Sequence, residues 1–285
     1  MRTVTHDNAV HWRLSGFGDE IDTDPLVQSA VLLALGARHI EVRSAWGVNV
    51  VDLDDAQTAG LKALLDEKGL AVSAVASPIG KVDVSLPAEL EVERLRRVIR
   101  VAQTLGTGYI RVFSFFRRDD QTAEQIRDAV IERMTLLAQT AEEAGVVLLH
   151  ENEKGVYGDT PERVLDIVES VGSPALKVAW DSANFVQVGV RPFSEGYALL
   201  RPHLEYLQVK DAIAATGEVV PAGAGDGELL ETLAALRDDG YTGFASLEPH
   251  LASADELGGF SGPVAFGDAA RALRKLTDHI GVNLV

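Results

Sequence analysis

The sequence contains no cysteine, which excludes disulfide bonds, thiolate metal ligands and catalytic thiols. Basic side chains are also scarce, since 26 Lys and Arg stand against 43 Asp and Glu and give a formal charge of -17. A field of that sign repels phosphate backbones and acidic membrane surfaces. We therefore expect neither a nucleic acid nor a membrane as partner.

The sequence also shows no pattern of a targeting segment or of a membrane-spanning segment. The start, MRTVTHDNAVHW, lacks the basic, apolar and small-residue regions of a secretory signal peptide. No apolar run reaches the roughly 20 residues needed to cross a bilayer. The composition, 46% hydrophobic and 24% charged, is ordinary for a soluble globular protein. These features predict a cytoplasmic protein.

Eight short runs of β-branched or aromatic residues alternate with longer helical patterns, which is typical of repeated βα units. The runs are WRLSGFG (12–18), RHIEVRS (38–44), AVSAVAS (71–77), YIRVFSF (109–115), VVLLHEN (146–152), LKVAWDS (176–182), LEYLQVK (204–210) and FASLEPH (244–250). Helix starts are predicted where a capping residue precedes a first-turn proline or stands three residues before Gln. These starts are Asp24-Pro25, Thr122 and Thr160-Pro161. A helix is also predicted over residues 193–201.

No linker or charge block divides this series, so residues 1–285 are predicted to form a single domain. Eight βα units close most naturally into a (β/α)₈ TIM barrel, an α/β fold. A doubly wound open sheet is the alternative, but no G-x-G-x-x-G follows the first strand. Residues 251–263, LASADELGGFSGP, form a long glycine-rich segment after the last strand and are a candidate lid or partner-contact loop.

The carboxyl ends of the strands are unusually polar, and that is where a barrel builds its site. The last four strands offer Glu151, Asp181, Gln208 and Glu248. Period-two alternation places Glu151 on the same face as Leu149, so the four side chains are predicted to point inward at one level. Four oxygen donors without a thiolate are a ligand set for one hard divalent cation such as Mg²⁺ or Mn²⁺.

Four motifs at the ends of the predicted strands resemble those of a known enzyme family. HENEKGVYGDTPE, WDSANF, LQVKDA and SLEPH, in this order, resemble the motifs of the sugar phosphate isomerase/epimerase family, the xylose isomerase-like barrels. The similarity runs from GFGDE near the start to GFSGP near the end. In that family one divalent metal is bound by a Glu on strand five, an Asp on strand six, a His or Gln on strand seven and a Glu on strand eight. The resemblance thus implies the same four ligands, with Mn²⁺ or Mg²⁺ expected and Co²⁺ or Zn²⁺ as alternatives.

The resemblance also implies the chemistry. Glu151 and Glu248 match the family's acid/base pair, which would isomerise or epimerise a small sugar, keto-sugar or hydroxy-ketone through an enediolate. Candidate substrate-binding residues are Lys81, Arg111, His150, Lys154, Asn184, Lys210 and His250. Two positions depart from the common pattern: Gln208 stands where many members have His, and Asn184 where many have a substrate-binding His.

Several alternatives remain open at this point. The same enediolate can expel a β-substituent, so a lyase or dehydratase, similar to inosose dehydratase or C-glycoside deglycosidase, is the first. A non-catalytic sugar-binding barrel is the second, and an endonuclease IV-like enzyme, which the net charge opposes, is the third. Homo-oligomerisation is compatible with the sequence. Gly223–Gly227, GAGDG, lacks the Lys-Ser/Thr ending of a nucleotide loop, yet a sugar hydroxyl or phosphate is a candidate ligand there.

Overall fold

Eight parallel strands form the centre of the computed structural model, which describes residues 10–255 and 258–285. They are β1 Val10–Gly16, β2 His39–Val42, β3 Ala71–Ala76, β4 Tyr109–Val112, β5 Val147–Glu151, β6 Leu176–Asp181, β7 Leu204–Val209 and β8 Phe244–Leu247. Their hydrogen-bonded order is β1-β8-β7-β6-β5-β4-β3-β2, and a parallel bridge between Phe17 and Glu41 joins the two ends. All eight predicted runs are strands, and the predicted TIM barrel is confirmed. A last strand, β9 Val282–Leu284, pairs with the start of β1.

Helices follow the strands and cover the outside of the barrel. They are α1 Pro25–Ala34, α2 Asp55–Lys68, α3 Ala88–Leu105, α4 Ala123–Ala144, α5 Pro161–Val171, α6 Ser182–Gln187, α7 Leu229–Asp238 and α8 Gly262–His279. The predicted starts hold: Asp24 accepts a hydrogen bond from the Leu26 amide at 2.9 Å, and Thr122 forms a capping box with Gln125. Within the described ranges, no helix combines the length and the apolar character needed to cross a membrane.

The helix predicted over 193–201 is not a regular α-helix. The chain there forms a π-helical turn, Pro192–Tyr197, then one α turn, Ala198–Leu200, and a 3₁₀ turn, Arg201–His203. The proline at position 202 has no amide hydrogen to donate, and its ring hinders an α-helix that continues through it. Pro192 stands at the first position of the π-helical turn, where a helix tolerates proline, so proline chemistry accounts for the break at position 202 and not for the π-helical turn.

The apolar side chains fall into two layers. The larger cluster packs between the strands and the helices and includes Trp12, Val98 and Met134. A smaller cluster lies inside the barrel and includes Leu149 and Tyr206. Because these inward side chains fill the interior, polar side chains that point inward at the carboxyl ends of the strands face a cleft on that side alone.

Three consecutive loops at the carboxyl ends of β3, β4 and β5 are tied to one another. Phe116, after β4, forms a parallel bridge with Asp83 and an antiparallel bridge with Val156. The β3 loop can approach β4 only because position 80 is glycine: its φ is +86°, and an added Cβ would lie 2.1 Å from the Phe113 carbonyl oxygen. This contact fixes the wall of the cleft on the β3–β5 side.

Two other predictions about loops have different outcomes. In the Gly223–Gly227 loop the amides of Gly223, Gly225 and Gly227 donate to the buried carboxylate of Asp211 at 2.8–3.0 Å, so this protein carboxylate takes the place predicted for a sugar or phosphate. In the 251–263 segment, Ser253–Asp255 pairs with Gly258–Phe260 as an antiparallel hairpin. Residues 256–257 of that candidate lid, and residues 1–9 at the start of the chain, lie outside the described residues.

Candidate metal centre and active-site cleft

Three carboxylates meet at the carboxyl end of the barrel. Glu151 ends β5, Asp181 ends β6 and Glu248 follows β8. Each offers one oxygen, and these oxygens all lie within 4.8 Å of one another. All three side chains are buried, with residue exposures of 1%, 0% and 2%. Such a concentration of negative charge away from water requires cations as partners.

Gln208 belongs to the same layer. It is the register partner of Asp181 across the β6–β7 pair, so both side chains point to the same side of the sheet. Its Nε2 lies 3.5 Å from Glu41 Oε1 in a long hydrogen bond, while its buried Oε1 accepts none from any described residue. The structure therefore places the four predicted ligands together and leaves one amide oxygen available.

Two basic side chains from the predicted substrate-binding group reach into the carboxylates. Arg111 Nη1 lies 3.1 Å from Glu151 Oε2 and 3.5 Å from Glu248 Oε1. Lys210 Nζ lies 2.9 Å from Asp181 Oδ2 and 3.3 Å from Glu248 Oε2. Both cations are buried and offset part of the mutual repulsion of the carboxylates when no metal is bound.

The carboxylates differ in proton affinity because their surroundings differ. Burial raises the pKa of Glu151 to about 8, and it also raises the pKa of Asp181. Burial acts on Glu248 too, but Lys210 and His250 hold the pKa of that carboxyl well below its usual range. Without a cation, Glu151 therefore binds a proton more readily than Glu248 does, the kind of separation found in acid/base pairs.

Two asparagines orient the carboxylates. Asn184 Nδ2 donates to Glu151 Oε1 at 3.0 Å and to the Asn152 carbonyl at 2.9 Å. Asn152 in turn bonds both the amide and the carbonyl of Asp181, at 3.0 and 2.8 Å. Asn184 thus contacts a predicted ligand, and Asn152 is a positioning residue to which sequence reasoning gave no role although it lies beside Glu151.

A second network lies on the other side of Glu248. Arg43 Nη1 donates to Glu248 Oε1 at 3.1 Å and its Nε donates to Asp19 at 2.8 Å. His250 Nε2 lies 3.0 Å from Glu20 Oε1 and 3.3 Å from Glu248 Oε1. The sequence marked the ends of β1 and β2 as polar but could not show that they reach across the barrel to β8.

The remaining predicted residues divide between a cleft and a buried site. A cleft of about 810 Å³ above the carboxylates is lined by Lys81, Lys154, Asn184, Lys210 and His250, among others. His150, in contrast, lies on the face of β5 opposite Glu151, and its ring packs against Gly158. Burial lowers the pKa of His150 to about 3. This placement separates His150 from the other candidate substrate-binding residues.

The donor set fits a divalent cation. Besides Gln208 Oε1, the buried atoms Glu151 Oε2 and Asp181 Oδ2 accept no well-directed hydrogen bond from the described residues. Glu20, Glu248 and His250 form a second group of suitable spacing. In that group Glu20 Oε1 and His250 Nε2 likewise lack a well-directed hydrogen bond within the described part of the chain, but it offers two carboxylates and one imidazole. Three carboxylates and an amide oxygen suit a hard divalent cation better, so the group around Glu151 is the better site for Mg²⁺ or Mn²⁺.

Comparison with known proteins agrees with this geometry. The family model described as "Xylose isomerase-like TIM barrel" matches residues 30–276. The chain belongs to this family. Like other xylose isomerase-like barrels, it places its polar strand ends at one rim of a closed parallel sheet.

Relatives of this xylose isomerase-like barrel include epimerases and a dehydratase. It is 29% identical over 216 residues to a 2-epi-5-epi-valiolone 7-phosphate 2-epimerase from Actinoplanes sp., covering 71% of this chain and 77% of the relative. It is 23% identical over 136 residues to a 3-dehydroshikimate dehydratase from Bacillus anthracis, covering 47% and 48% of the two chains.

Solved structures share the fold. A D-tagatose 3-epimerase-like protein superposes with a TM-score of 0.76 at 17% identity, covering 94% of this chain and 98% of the other. A xylose isomerase-like TIM barrel protein from Mycobacterium smegmatis, solved in complex with magnesium, gives a TM-score of 0.68 at 21% identity, covering 95% and 98%.

Proposed function

We propose that this xylose isomerase-like barrel is a divalent-metal-dependent epimerase or isomerase of a small sugar, keto-sugar or hydroxy-ketone. The observation that carries the proposal is the buried group of Glu151, Asp181 and Glu248, whose oxygens lie within 4.8 Å of one another beneath an open cleft. The relationship to a valiolone phosphate epimerase supports it, because that reaction inverts one carbon centre.

The chemistry is proton transfer next to a carbonyl. Glu151, Asp181, Gln208 and Glu248 would hold the cation, Mn²⁺ or Mg²⁺, which as a Lewis acid stabilises the negative charge of an enediolate. Glu151 and Glu248 come from β5 and β8, on separate sides of the barrel. One carboxylate is proposed to take the proton from carbon and the other to return a proton.

Neighbouring side chains keep this pair in position. Asn184 fixes Glu151 through its 3.0 Å hydrogen bond, and Arg43 fixes Glu248 at 3.1 Å. His250 and Lys210 line the cleft and also contact Glu248, so both are placed to meet a substrate hydroxyl or carbonyl. All of these contacts use charged or amide groups, which suits a polar substrate better than an apolar one.

A dehydratase is the second candidate. A specific observation favours it, since a 3-dehydroshikimate dehydratase is similar over 136 residues and the structure of a probable 3-DHS dehydratase superposes with a TM-score of 0.71. The first step is the same removal of a proton next to a carbonyl. The reactions differ afterwards, because elimination loses water and the product is lighter than the substrate.

The test is incubation with a panel of keto-sugars and polyol ketones in D₂O, with and without Mn²⁺, followed by mass spectrometry. An epimerase or isomerase incorporates deuterium next to the carbonyl and preserves the substrate formula apart from that exchange. A dehydratase gives a product that has lost water. Glu151→Gln is expected to abolish either reaction, whereas Glu231→Gln, on the exposed surface of α7, is the matched control. Lack of reaction by the parent with every ketone would overturn the proposal.

A further inference from the structure

We propose that the outer end of the cleft binds a phosphate monoester carried by the substrate, through Arg117 and Lys154. This inference rests on the proposed function, because it assigns a substrate class to the same cleft. The charge at the cleft contrasts with the charge of the whole chain. The chain carries a formal charge of -17, yet four cations line the cleft, Lys81, Arg117, Lys154 and Lys210, against the two carboxylates of Asp119 and Glu153.

Two of these cations already serve other groups. Lys210 is buried at the floor of the cleft between Asp181 and Glu248. Lys81 lies 3.0 Å from Glu153 Oε2 and 4.4 Å from the centre of the Phe113 ring. These contacts explain both residues without a ligand in the outer part of the cleft.

Arg117 and Lys154 are different. Both are exposed, and within the described part of the chain neither forms an ion pair with a carboxylate. Asp119, the other exposed charge at this rim, likewise has no ion-pair partner among those residues and leaves an excess of one positive charge. Arg117 interacts electrostatically with Glu124, but beyond ion-pair distance, so both cations at this rim are available to an anion.

The backbone brings the two cations together. Arg117 follows Phe116, whose antiparallel bridge to Val156 places the residues just after Phe116 opposite those just before Val156. Arg117 is thereby set opposite Gly155 and not opposite Lys154, but both cations lie within two residues of this bridge, in two loops that are also held to the β3 loop, and both line the same cleft. The start of α4, at Gln121 and Thr122, lines the same end of the cleft and adds a partial positive charge.

A phosphate monoester fits this arrangement better than a carboxylate. It carries about -1.5 to -2 charges at neutral pH and three acceptor oxygens, which matches two cations beside a helix start. The floor of the cleft, with Lys210 and Asn184, would hold the reacting end of the substrate. At about 810 Å³ the cleft has room for a polyol that reaches from the carboxylates to the rim.

The first experiment is calorimetric titration of inorganic phosphate, and separately of acetate, into the metal-free full-length protein. Removing the metal prevents phosphate from binding at the carboxylate centre through the cation. The variants are Arg117→Gln, Lys154→Gln and the double variant. The matched control is Arg118→Gln, because Arg118 is exposed beside Arg117 but pairs with Asp120 at 3.3 Å and does not line the cleft.

We expect phosphate to bind the parent, to bind roughly tenfold more weakly to each single variant, and not to bind the double variant. The control should match the parent. Absence of phosphate binding by the parent, or equal binding by the double variant, would overturn the assignment. Acetate binding that equals phosphate binding and disappears in the double variant would overturn it in favour of a carboxylate.

The second experiment separates this inference from the proposed function. Deuterium exchange is measured for D-fructose and D-fructose 6-phosphate, with Mn²⁺, in the parent and the double variant. We expect the double variant to exchange deuterium less efficiently with D-fructose 6-phosphate alone, and we expect this loss to result from a higher KM. Exchange that is equal for both sugars in both proteins counts against the phosphate subsite. Absence of exchange across the whole ketone panel, with phosphate binding still lost in the double variant, contradicts the proposed function and supports the subsite.

Discussion

At the scale of single residues, Glu248 is the group on which most charges converge. Arg43, Lys210, His250 and Arg111 all lie within 3.5 Å of its oxygens. Glu248→Gln preserves the shape but removes the charge and the base, so turnover should fall by about 10²–10⁴-fold or more. The fold should persist, because Arg43 keeps Asp19, Lys210 keeps Asp181 and Arg111 keeps Glu151 as partners.

Deuterium exchange together with circular dichroism tests this variant. A loss of exchange with a native spectrum is the predicted result. If Glu248→Gln kept activity within a few-fold of the parent, Glu248 would have no acid/base role.

Gln208 is one of the two positions at which the sequence motifs indicate a departure from the common pattern of the family. Its Oε1 is buried without a hydrogen-bond donor among the described residues, as a metal ligand would be in the absence of its metal. Gln208→His should shift metal preference toward Co²⁺, Ni²⁺ or Zn²⁺, because imidazole suits these ions better than an amide oxygen does. Gln208→Ala should weaken metal binding without abolishing it, since three carboxylates remain.

Metal titrations and thermal melts of the two variants decide the matter. A core hydrogen-bonding role predicts a different pattern for Gln208→Ala, namely unchanged metal affinity and a free energy of unfolding lower by about 1–3 kcal/mol. That pattern would remove Gln208 from the ligand set.

The sequence could predict residues whose position follows from strand alternation, and could not predict those that depend on long-range contacts. Glu151 shares a face with Leu149 along one strand, so its inward direction is local information. The contact between Arg43 and Glu248 joins residues that follow β2 and β8 and lie 205 positions apart in the sequence, and no spacing encodes it. His150 looked like part of the site because it adjoins Glu151, but alternation itself turns it to the opposite face.

At the scale of elements, Gly80 links two of the loops that form the cleft wall. Gly80→Ala should lower the free energy of unfolding by about 1–3 kcal/mol from backbone strain alone, and more because its Cβ would overlap the Phe113 carbonyl. Gly47→Ala is the matched control, since Gly47 also has a positive φ, +72°, but nothing lies within 4 Å of its added Cβ. Chemical denaturation should show a larger loss at position 80, and equal losses would contradict the close-approach argument.

Helices α4 and α5 are joined by a carboxylate whose pKa gives a pH-dependent prediction. Burial alone would raise the pKa of Asp166. Hydrogen bonds from Arg127, Tyr157 and Ser170 outweigh it and hold this pKa below its ordinary value. A lowered folded-state pKa stabilises the protein above the unfolded pKa, and this stabilisation is lost as pH falls through the folded pKa. Asp166→Asn should therefore lower the free energy of unfolding by roughly 0.5–1 kcal/mol at pH 7, a small loss because solvent partly screens the site. This loss should become progressively smaller below about pH 3.9.

Thermal melts between pH 3 and 7 measure this effect. Asp128→Asn is the control, because Asp128 pairs with the same Arg127 but its side chain is 97% exposed. A cost for Asp166→Asn that grows as the pH falls would have the wrong sign and contradict the assignment.

The eight strands and the principal helices could be predicted because each carries its own pattern of apolar spacing and capping. The region between α6 and β7 is predicted as one helix but forms π, α and 3₁₀ turns, and only the break before Pro202 follows from a residue type visible in the sequence. The Gly223–Gly227 loop resembled an anion site because glycine amides are good donors. Only the folded chain shows that Asp211 already accepts those hydrogen bonds.

At the scale of the whole molecule, a strongly acidic barrel concentrates its buried charge at one end. Three carboxylates and the surrounding cations form one network there, in which Arg111 and Lys210 hold the carboxylates while no metal is present. Such a network costs free energy of desolvation, and buried carboxylates whose pKa values are shifted by burial and charged partners in a cleft mark a candidate functional site. We therefore propose that this network binds a divalent cation.

The most direct test is an anomalous difference map from a crystal soaked in Mn²⁺. The account predicts a single strong peak at about 2.0–2.6 Å from oxygens of Glu151, Asp181 and Glu248, with Gln208 Oε1 as a further ligand. A map without a peak at this position, in which Arg111 and Lys210 still occupy their contacts with the carboxylates, would contradict the claim.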